Sequence, residues 1–256
     1  MLDFSHTTVT PKVLELLEQI AKDMKVGDKI WAMMRGDKIN NTEDWPVLHT
    51  ALWMPRDSSL IVEGRNIIED VWNVLDKIKE FSNKIWLGEF KGYSGKIIKN
   101  TVVIGIGGSF LGPMFAYEAI RFHWDCHAAA DGWKVWFLAN VDPTDYFIAT
   151  EGLDFEETLF IVNSKTFTTA ETMLNAKTVK SMLLKHYKQK YPNEADENFI
   201  KCHFAACSTN LVETKKFGIS DENVFEFWNW VGGRFSVCSC IGILPLAITY
   251  GFDLAN

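Results

Sequence analysis

The sequence predicts an α/β protein: a doubly wound parallel sheet preceded by a helical N-terminal segment. Two observations carry this expectation. From residue 101 onward, short runs rich in β-branched residues alternate with stretches of helical periodicity. These runs are apolar at successive positions instead of alternating with polar residues, as strands are when helices cover both faces of a sheet.

In chain order, Thr10-Pro11 opens a first helix with Leu14, Leu17, Ala21 and Met24 at helical spacing, proline in its first turn and Gly27 beyond its end. Residues 40–59 read as loop around one short helix, near Val47 to Trp53. A longer helix covers about Ile68 to Ile85, its stripe formed by Ile68, Val71, Leu75, Ile78 and Ile85, with Lys77, Lys79 and Glu80 outside it. The glycine- and lysine-rich stretch from Gly88 to Asn100 divides the chain into a helical segment, 1–88, and an α/β domain, 89–256. Strands are expected at Thr101–Ile106, Val135–Leu138, Thr158–Val162, His203–Ala206 and Val224–Phe227. Helices are expected at Pro113–Phe122, Thr144–Thr150, Thr169–Tyr187, Asn210–Phe217 and about Ser236 to Tyr250; the segment after Phe122 reads as loop.

Composition excludes several classes. The chain has 256 residues, 47% hydrophobic and 23% charged, which suits a packed globular core and not a disordered chain. A net charge of −7 argues against general nucleic-acid binding, although backbone N–H groups and hydroxyls can still hold a small anion. No membrane span is expected, because no run reaches about 18 consecutive apolar residues. The start, Met1-Leu2-Asp3-Phe4, lacks the basic and apolar regions of a secretion signal. Five irregularly spaced cysteines (Cys126, Cys202, Cys207, Cys238 and Cys240) read as free thiols in a reducing compartment, not as a metal or disulfide framework. His123 and His127 could share a helix face, but no carboxylate helper accompanies them; no metal is expected.

Ligands of an open α/β sheet bind beyond the carboxyl ends of its strands. Three segments fall there. Gly105-Ile106-Gly107-Gly108-Ser109-Phe110-Leu111-Gly112-Pro113 lets the backbone approach a ligand and offers helix N–H donors. It is neither a dinucleotide fingerprint, since Phe110 stands where a glycine is required, nor a P-loop. Standing alone, it is also explained by a tight turn. Ser164-Lys165-Thr166-Phe167-Thr168-Thr169-Ala170-Glu171 packs four hydroxyls and an ammonium into six residues, a composition suited to phosphate. Thr168 with Glu171 reads as a capping box, so a capped helix is the plainer alternative. In Trp230-Val231-Gly232-Gly233-Arg234-Phe235-Ser236, Arg234 presents a permanent charge able to stabilise an oxyanion, or else caps a helix at the edge of the core.

In this order, the three segments resemble the glucose-6-phosphate isomerase family. Val47-Leu48-His49-Thr50-Ala51-Leu52, Ala139-Asn140-Val141-Asp142-Pro143 and Ser208-Thr209-Asn210-Leu211 add to the likeness, which runs from about Leu2 to Asp253 and is nearest plant-like cytosolic members. The resemblance implies a sugar-isomerase (SIS-like) domain, a cytoplasmic homodimer, and interconversion of glucose 6-phosphate and fructose 6-phosphate through a cis-enediolate, without cofactor. It implies that Gly108 and Ser109 line the sugar-phosphate pocket and that Ser164, Lys165, Thr166, Phe167, Thr168 and Thr169 form the phosphate loop. It implies that Arg234 stabilises the enediolate. The family's general base, with its helping histidine and lysine, belongs to a second domain that nothing in this sequence matches, so the chain by itself is expected to be inactive. Trp45, Trp53 and His6-Thr7-Thr8 stand where family members usually carry basic residues.

Overall fold

A computed structural model describes residues 3–256. Its N-terminal part holds α1 (Pro11–Asp23), α2 (Val26–Arg35), a 3-10 turn at His49–Trp53, a short hairpin of β1 (Ile61–Val62) and β2 (Arg65–Asn66), and α3 (Ile67–Trp86). The remainder runs β3 (Asn100–Ile104), α4 (Gly108–Ile120), α5 (Trp124–Ala129), β4 (Lys134–Leu138), α6 (Pro143–Thr150), β5 (Thr158–Asn163), α7 (Ala170–Lys188) and α8 (Asp196–His203). It continues through β6 (Phe204–Ser208), α9 (Leu211–Phe217), β7 (Val224–Glu226), a 3-10 turn at Gly233–Cys238, α10 (Cys240–Tyr250) and α11 (Phe252–Ala255).

All five expected strands form, and their pairings are parallel, in the order β4-β3-β5-β6-β7. Alternate residues of the strands feed two cores. Leu159, Ile161, Ala205, Cys207 and Phe225 pack beneath α3 and α10, while Val102, Ile104, Phe160, Val162, Phe204 and Ala206 pack beneath α7 and α8. The chain leaves β3 for β4 on one side and then crosses to β5 on the other. The loops after β3 and β5 therefore diverge, which is the place where open α/β sheets form their ligand crevice.

Several boundaries differ from the sequence expectation. Thr10 caps α1 by accepting from the Val13 N–H, with Pro11 in the first turn, but the helix stops at Asp23. Lys25 takes a left-handed conformation (φ 52°), and Gly27 lies inside α2 instead of ending α1. The segment after Phe122, expected as loop, contains α5; like α8, it is too short for its period to register in sequence. Residues 3–88 hold α1, α2 and α3 with the β1–β2 hairpin, and packing runs across the expected boundary: α3 buries Ile68, Val71, Leu75, Ile78 and Ile85 in the core shared with the sheet and α10.

The window Gly233–Tyr250 is long and apolar enough to span a membrane by composition, with mean hydropathy 1.4, but 67% of it is buried within the protein. It is the core helix α10 with the preceding turn. The five cysteines are free thiols, three buried and two half-buried. Among the described residues, no cluster of three or more histidine, cysteine or carboxylate side chains could hold a metal, and His123 and His127 are exposed on and before α5.

At the opposite, amino edge of the sheet, His203 is fully buried. Its Nδ1 donates to the Thr158 carbonyl (2.8 Å), and its Nε2 accepts from the Tyr93 N–H (3.1 Å) and the Tyr187 hydroxyl (2.8 Å). Those partners fix the neutral tautomer, since a carbonyl only accepts and an amide N–H only donates. Burial pushes the His203 pKa down to about 4. Nearby Glu156 receives Lys190, His186 and Lys96, which hold its pKa down to about 2. A depressed folded pKa means that the unfolded chain takes up the proton first. His203 thus contributes stability above pH 6.5 that is lost as pH falls toward 4, on the order of 3 kcal/mol. His49, lowered by burial and by Lys165, adds in the same direction. Urea midpoints should fall between pH 7 and pH 4.5, and His203→Gln should flatten most of that slope.

Candidate functional site

The first two segments sit at the mouth of the switch-point crevice. Helix α4 begins at Gly108, five residues earlier than Pro113, because Gly107 turns the chain with φ 57°. No side chain caps α4. Pro113 consequently lies inside the helix and has no N–H to return to the Ser109 carbonyl four residues before it.

The loop after β5 departs from the capping-box expectation. Thr169, not Thr168, is the N-cap of α7, and no side chain accepts from the helix's first N–H groups. The Thr168 hydroxyl donates instead to Thr166 Oγ1 (2.8 Å), which also receives the Thr168 N–H (3.3 Å). The two hydroxyls are thereby paired with each other, and both residues are exposed. The free N–H groups at the start of a 19-residue helix carry the positive end of its dipole. Two uncapped helix N-termini thus flank the crevice.

Phe167 does not present its ring to this crevice. It has φ 55° and is 2% exposed, with its ring in the core against Phe217 at 5.8 Å. Its contribution is an anchor, reinforced by its N–H donating to Ser164 Oγ (3.1 Å). Buried Ser164 shapes the loop and also reaches Thr169 Oγ1 at 3.5 Å. Lys165 has turned toward the arginine segment, donating to the carbonyls of Asn229 (2.9 Å) and Val231 (3.1 Å). Burial lowers its pKa. Its ammonium braces one loop on another with two of its three N–H donors.

Arg234 lies in the Gly233–Cys238 turn, exposed and without an ion pair to any described residue. The turn is wedged between helices by glycines. A Cβ on Gly108 would stand 1.9 Å from the Gly233 oxygen and 2.9 Å from Arg234 Cα. A Cβ on Gly242 would stand 2.1 Å from the Val237 oxygen. The glycine loop and the arginine are therefore in direct backbone contact, as residue spacing alone could not show.

Residues of the supporting motifs also brace these loops. His49 Nε2 accepts the Gly232 N–H at 2.9 Å, and its ring packs on Phe235 at 4.7 Å. Ser208 and Thr209 hydroxyls donate to the Lys165 carbonyl at 3.1 and 2.7 Å, and Asn210 Nδ2 donates to that of Thr166 at 3.0 Å. These residues hold the 164–169 loop by its backbone. Their hydroxyl and amide chemistry was visible, but their targets were long-range. Trp45 and Trp53 are 39% and 73% exposed and lie outside the core.

A cleft of about 330 Å³ lies elsewhere, at the amino edge, lined by Lys77, Lys84, Lys91, Lys201 and their acidic neighbours. Its cations are largely engaged: Lys77 donates to the carbonyls of Asp221 and Val224, Lys84 pairs with Glu80, and Lys201 pairs with Glu222. It lies away from the three convergent loops and has none of the uncapped helix starts that flank the crevice.

Fold and loops together define a doubly wound α/β domain with two uncapped helix starts at its switch point, exposed hydroxyls at Thr166 and Thr168, and an arginine without an ion pair among the described residues. The profile of the family described as phosphoglucose isomerase matches residues 3–256. The chain belongs to that family. It is 45% identical over 256 residues to the cytosolic glucose-6-phosphate isomerase of Arabidopsis thaliana and 46% identical over 255 residues to cytosolic form A from Oryza sativa subsp. japonica. Each comparison covers all of this chain but 44% of the relative, so the chain spans less than half the length of these curated relatives. The crystal structure of a glucose-6-phosphate isomerase from Chlamydia trachomatis superposes with TM-score 0.74 at 26% identity, covering 96% of this chain and 44% of that one.

Proposed function

We propose that this chain carries the phosphate-binding and oxyanion-stabilising half of a glucose-6-phosphate isomerase site. The observation that carries the reading is the exposed pairing of Thr166 and Thr168 before the uncapped start of α7, across the switch point from Ser109 and the start of α4. A phosphate there would accept from hydroxyls of Ser109, Thr166, Thr168 and Thr169, and from helix N–H groups. Gly108 admits the close approach, while Ser164, Lys165 and Phe167 fix the loop. Arg234 would face the sugar's reacting end and stabilise the negative charge that develops on the enediolate oxygen.

Isomerisation moves a proton between carbons beside a carbonyl, and needs a base. The titratable groups bonded into these loops are Lys165 and His49, and both are engaged with backbone atoms. The base, in this reading, comes from the length that the relatives have and this match does not include. A second reading, a non-catalytic phosphosugar-binding domain, rests on that same engagement. An SIS-like role in glycolysis and gluconeogenesis, a cytoplasmic location and a homodimer accompany the first reading as parts of the same proposal.

Turnover distinguishes the two readings. The 256-residue chain is expected to show none alone, and to form fructose 6-phosphate when combined with the remaining half of a plant relative. An inert mixture in which both parts are folded and associated would favour the non-catalytic domain. Thr166→Ala and Thr168→Ala should each weaken glucose 6-phosphate binding by about tenfold, the worth of one charge-assisted hydrogen bond. Neither should shift the unfolding midpoint appreciably, because neither hydroxyl caps α7. Calorimetric titration with thermal unfolding checks both statements.

A further inference from the structure

Asn163 is the last residue of β5 and is fully buried in an otherwise apolar stretch. Its Nδ2 donates in two directions, to the Ile241 carbonyl at 3.0 Å and, more weakly, to the Ser109 carbonyl at 3.4 Å. Both acceptors share an origin. Ser109 stands four residues before Pro113 in α4, and Ile241 stands four residues before Pro245 in α10. Proline has no N–H, so neither carbonyl receives its ordinary helical partner. One amide nitrogen with two hydrogens serves both.

The acceptor end of the same side chain is left over: Oδ1 is buried without a hydrogen-bond partner among the described residues. Turning the amide around would aim an oxygen at two carbonyl oxygens, so the orientation is fixed by Ser109 and Ile241. A buried, half-satisfied amide is a poor choice for stability alone, where an apolar side chain would suit the strand better. What the amide achieves is registration. It ties the first turn of α4, which carries Ser109, to the first turn of α10, and the turn bearing Arg234 lies wedged between those helices.

We propose that Asn163 is a positioning residue, which sets Ser109 and the Arg234 turn at a fixed separation for the phosphosugar. This rests on the function proposed above. Asn163 touches no ligand itself and acts through the two proline-freed carbonyls.

The test is a 31P NMR titration of the 256-residue chain with glucose 6-phosphate, comparing the parent with Asn163→Leu, which keeps bulk and loses both donors. Affinity should fall about tenfold, as expected for the loss of one to two hydrogen bonds' worth of alignment. His203→Gln, at the far edge of the sheet, is the stability control and should keep the parent's affinity. Equal affinity in parent and Asn163→Leu would overturn the inference while leaving the phosphosugar reading intact. Matching losses in Asn163→Leu and His203→Gln would overturn it too, as a general stability effect. A parent chain that fails to bind would remove the reading and the inference together. Should Asn163→Leu not fold, Asn163→Ser, which keeps one donor, decides: a folded variant with weakened binding supports the role, and one with unchanged binding contradicts it.

Discussion

Arg234→Ala is expected to lower turnover of the reconstituted isomerase by about 10²–10³-fold, the loss typical of one oxyanion-stabilising donor. The chain's unfolding midpoint should stay nearly constant. Arg234 is exposed and pairs with no described residue, so no fold contact is lost with its guanidinium. Such freedom is itself informative, since a surface arginine in a purely structural role usually finds a carboxylate or a carbonyl. Arg234→Lys should recover little, because a single ammonium cannot reproduce the planar fork of donors. The loss should fall on kcat more than on KM, as for a group whose interaction strengthens in the transition state. Steady-state kinetics beside a thermal melt would show the split. Equal loss in both parameters with a lowered melt would instead mark Arg234 as a structural residue.

Gly108→Ala has the second large expected effect. The added methyl would meet the Gly233 oxygen at 1.9 Å and its carbon at 2.5 Å. These are backbone atoms, so no rotamer change relieves the clash, and the Arg234 turn must move away from α4. Overpacking of this kind costs about 1–3 kcal/mol. The variant should therefore melt earlier and also lose phosphosugar affinity, because both walls of the crevice shift. Gly233→Ala is the matched control: its Cβ would enter open space. A near-neutral Gly233→Ala beside a damaged Gly108→Ala is the expected pattern in melts and titrations.

The sheet was legible in sequence because its signal is local. Val102–Ile104 and Leu159–Val162 are short, β-branched-rich and apolar at successive positions, as strands covered on both sides are. α3 was legible from one stripe, Ile68 to Ile85. The starts of α4 and α7 were not. Pro113 usually opens a helix, and here it sits within one because Gly107 and Gly108 had already turned the chain. Thr168 and Glu171 have the right spacing for a capping box, yet Thr166 competes for the hydroxyl two residues away.

Within the site, residue types gave the chemistry but not the division of labour. Hydroxyl clustering singled out Thr166 and Thr168, which are exposed. The same cluster included Phe167 and Lys165, whose side chains serve the core and the neighbouring loop. A φ of 55° at Phe167 and two carbonyls met by Lys165 arise from contacts tens of residues apart, which local spacing does not encode. Asn163 escaped for the same reason, since its two acceptors lie 54 and 78 residues away.

A crystal structure of the chain with bound glucose 6-phosphate addresses the central claim most directly. The phosphate should lie within hydrogen-bond reach, about 2.7–3.2 Å, of the Thr166 and Thr168 hydroxyls and the first N–H groups of α7, with Ser109 across the crevice. A phosphate found instead in the lysine-lined cleft of Lys77, Lys84 and Lys201, with the Thr166–Thr168 hydroxyl pair undisturbed, would contradict it.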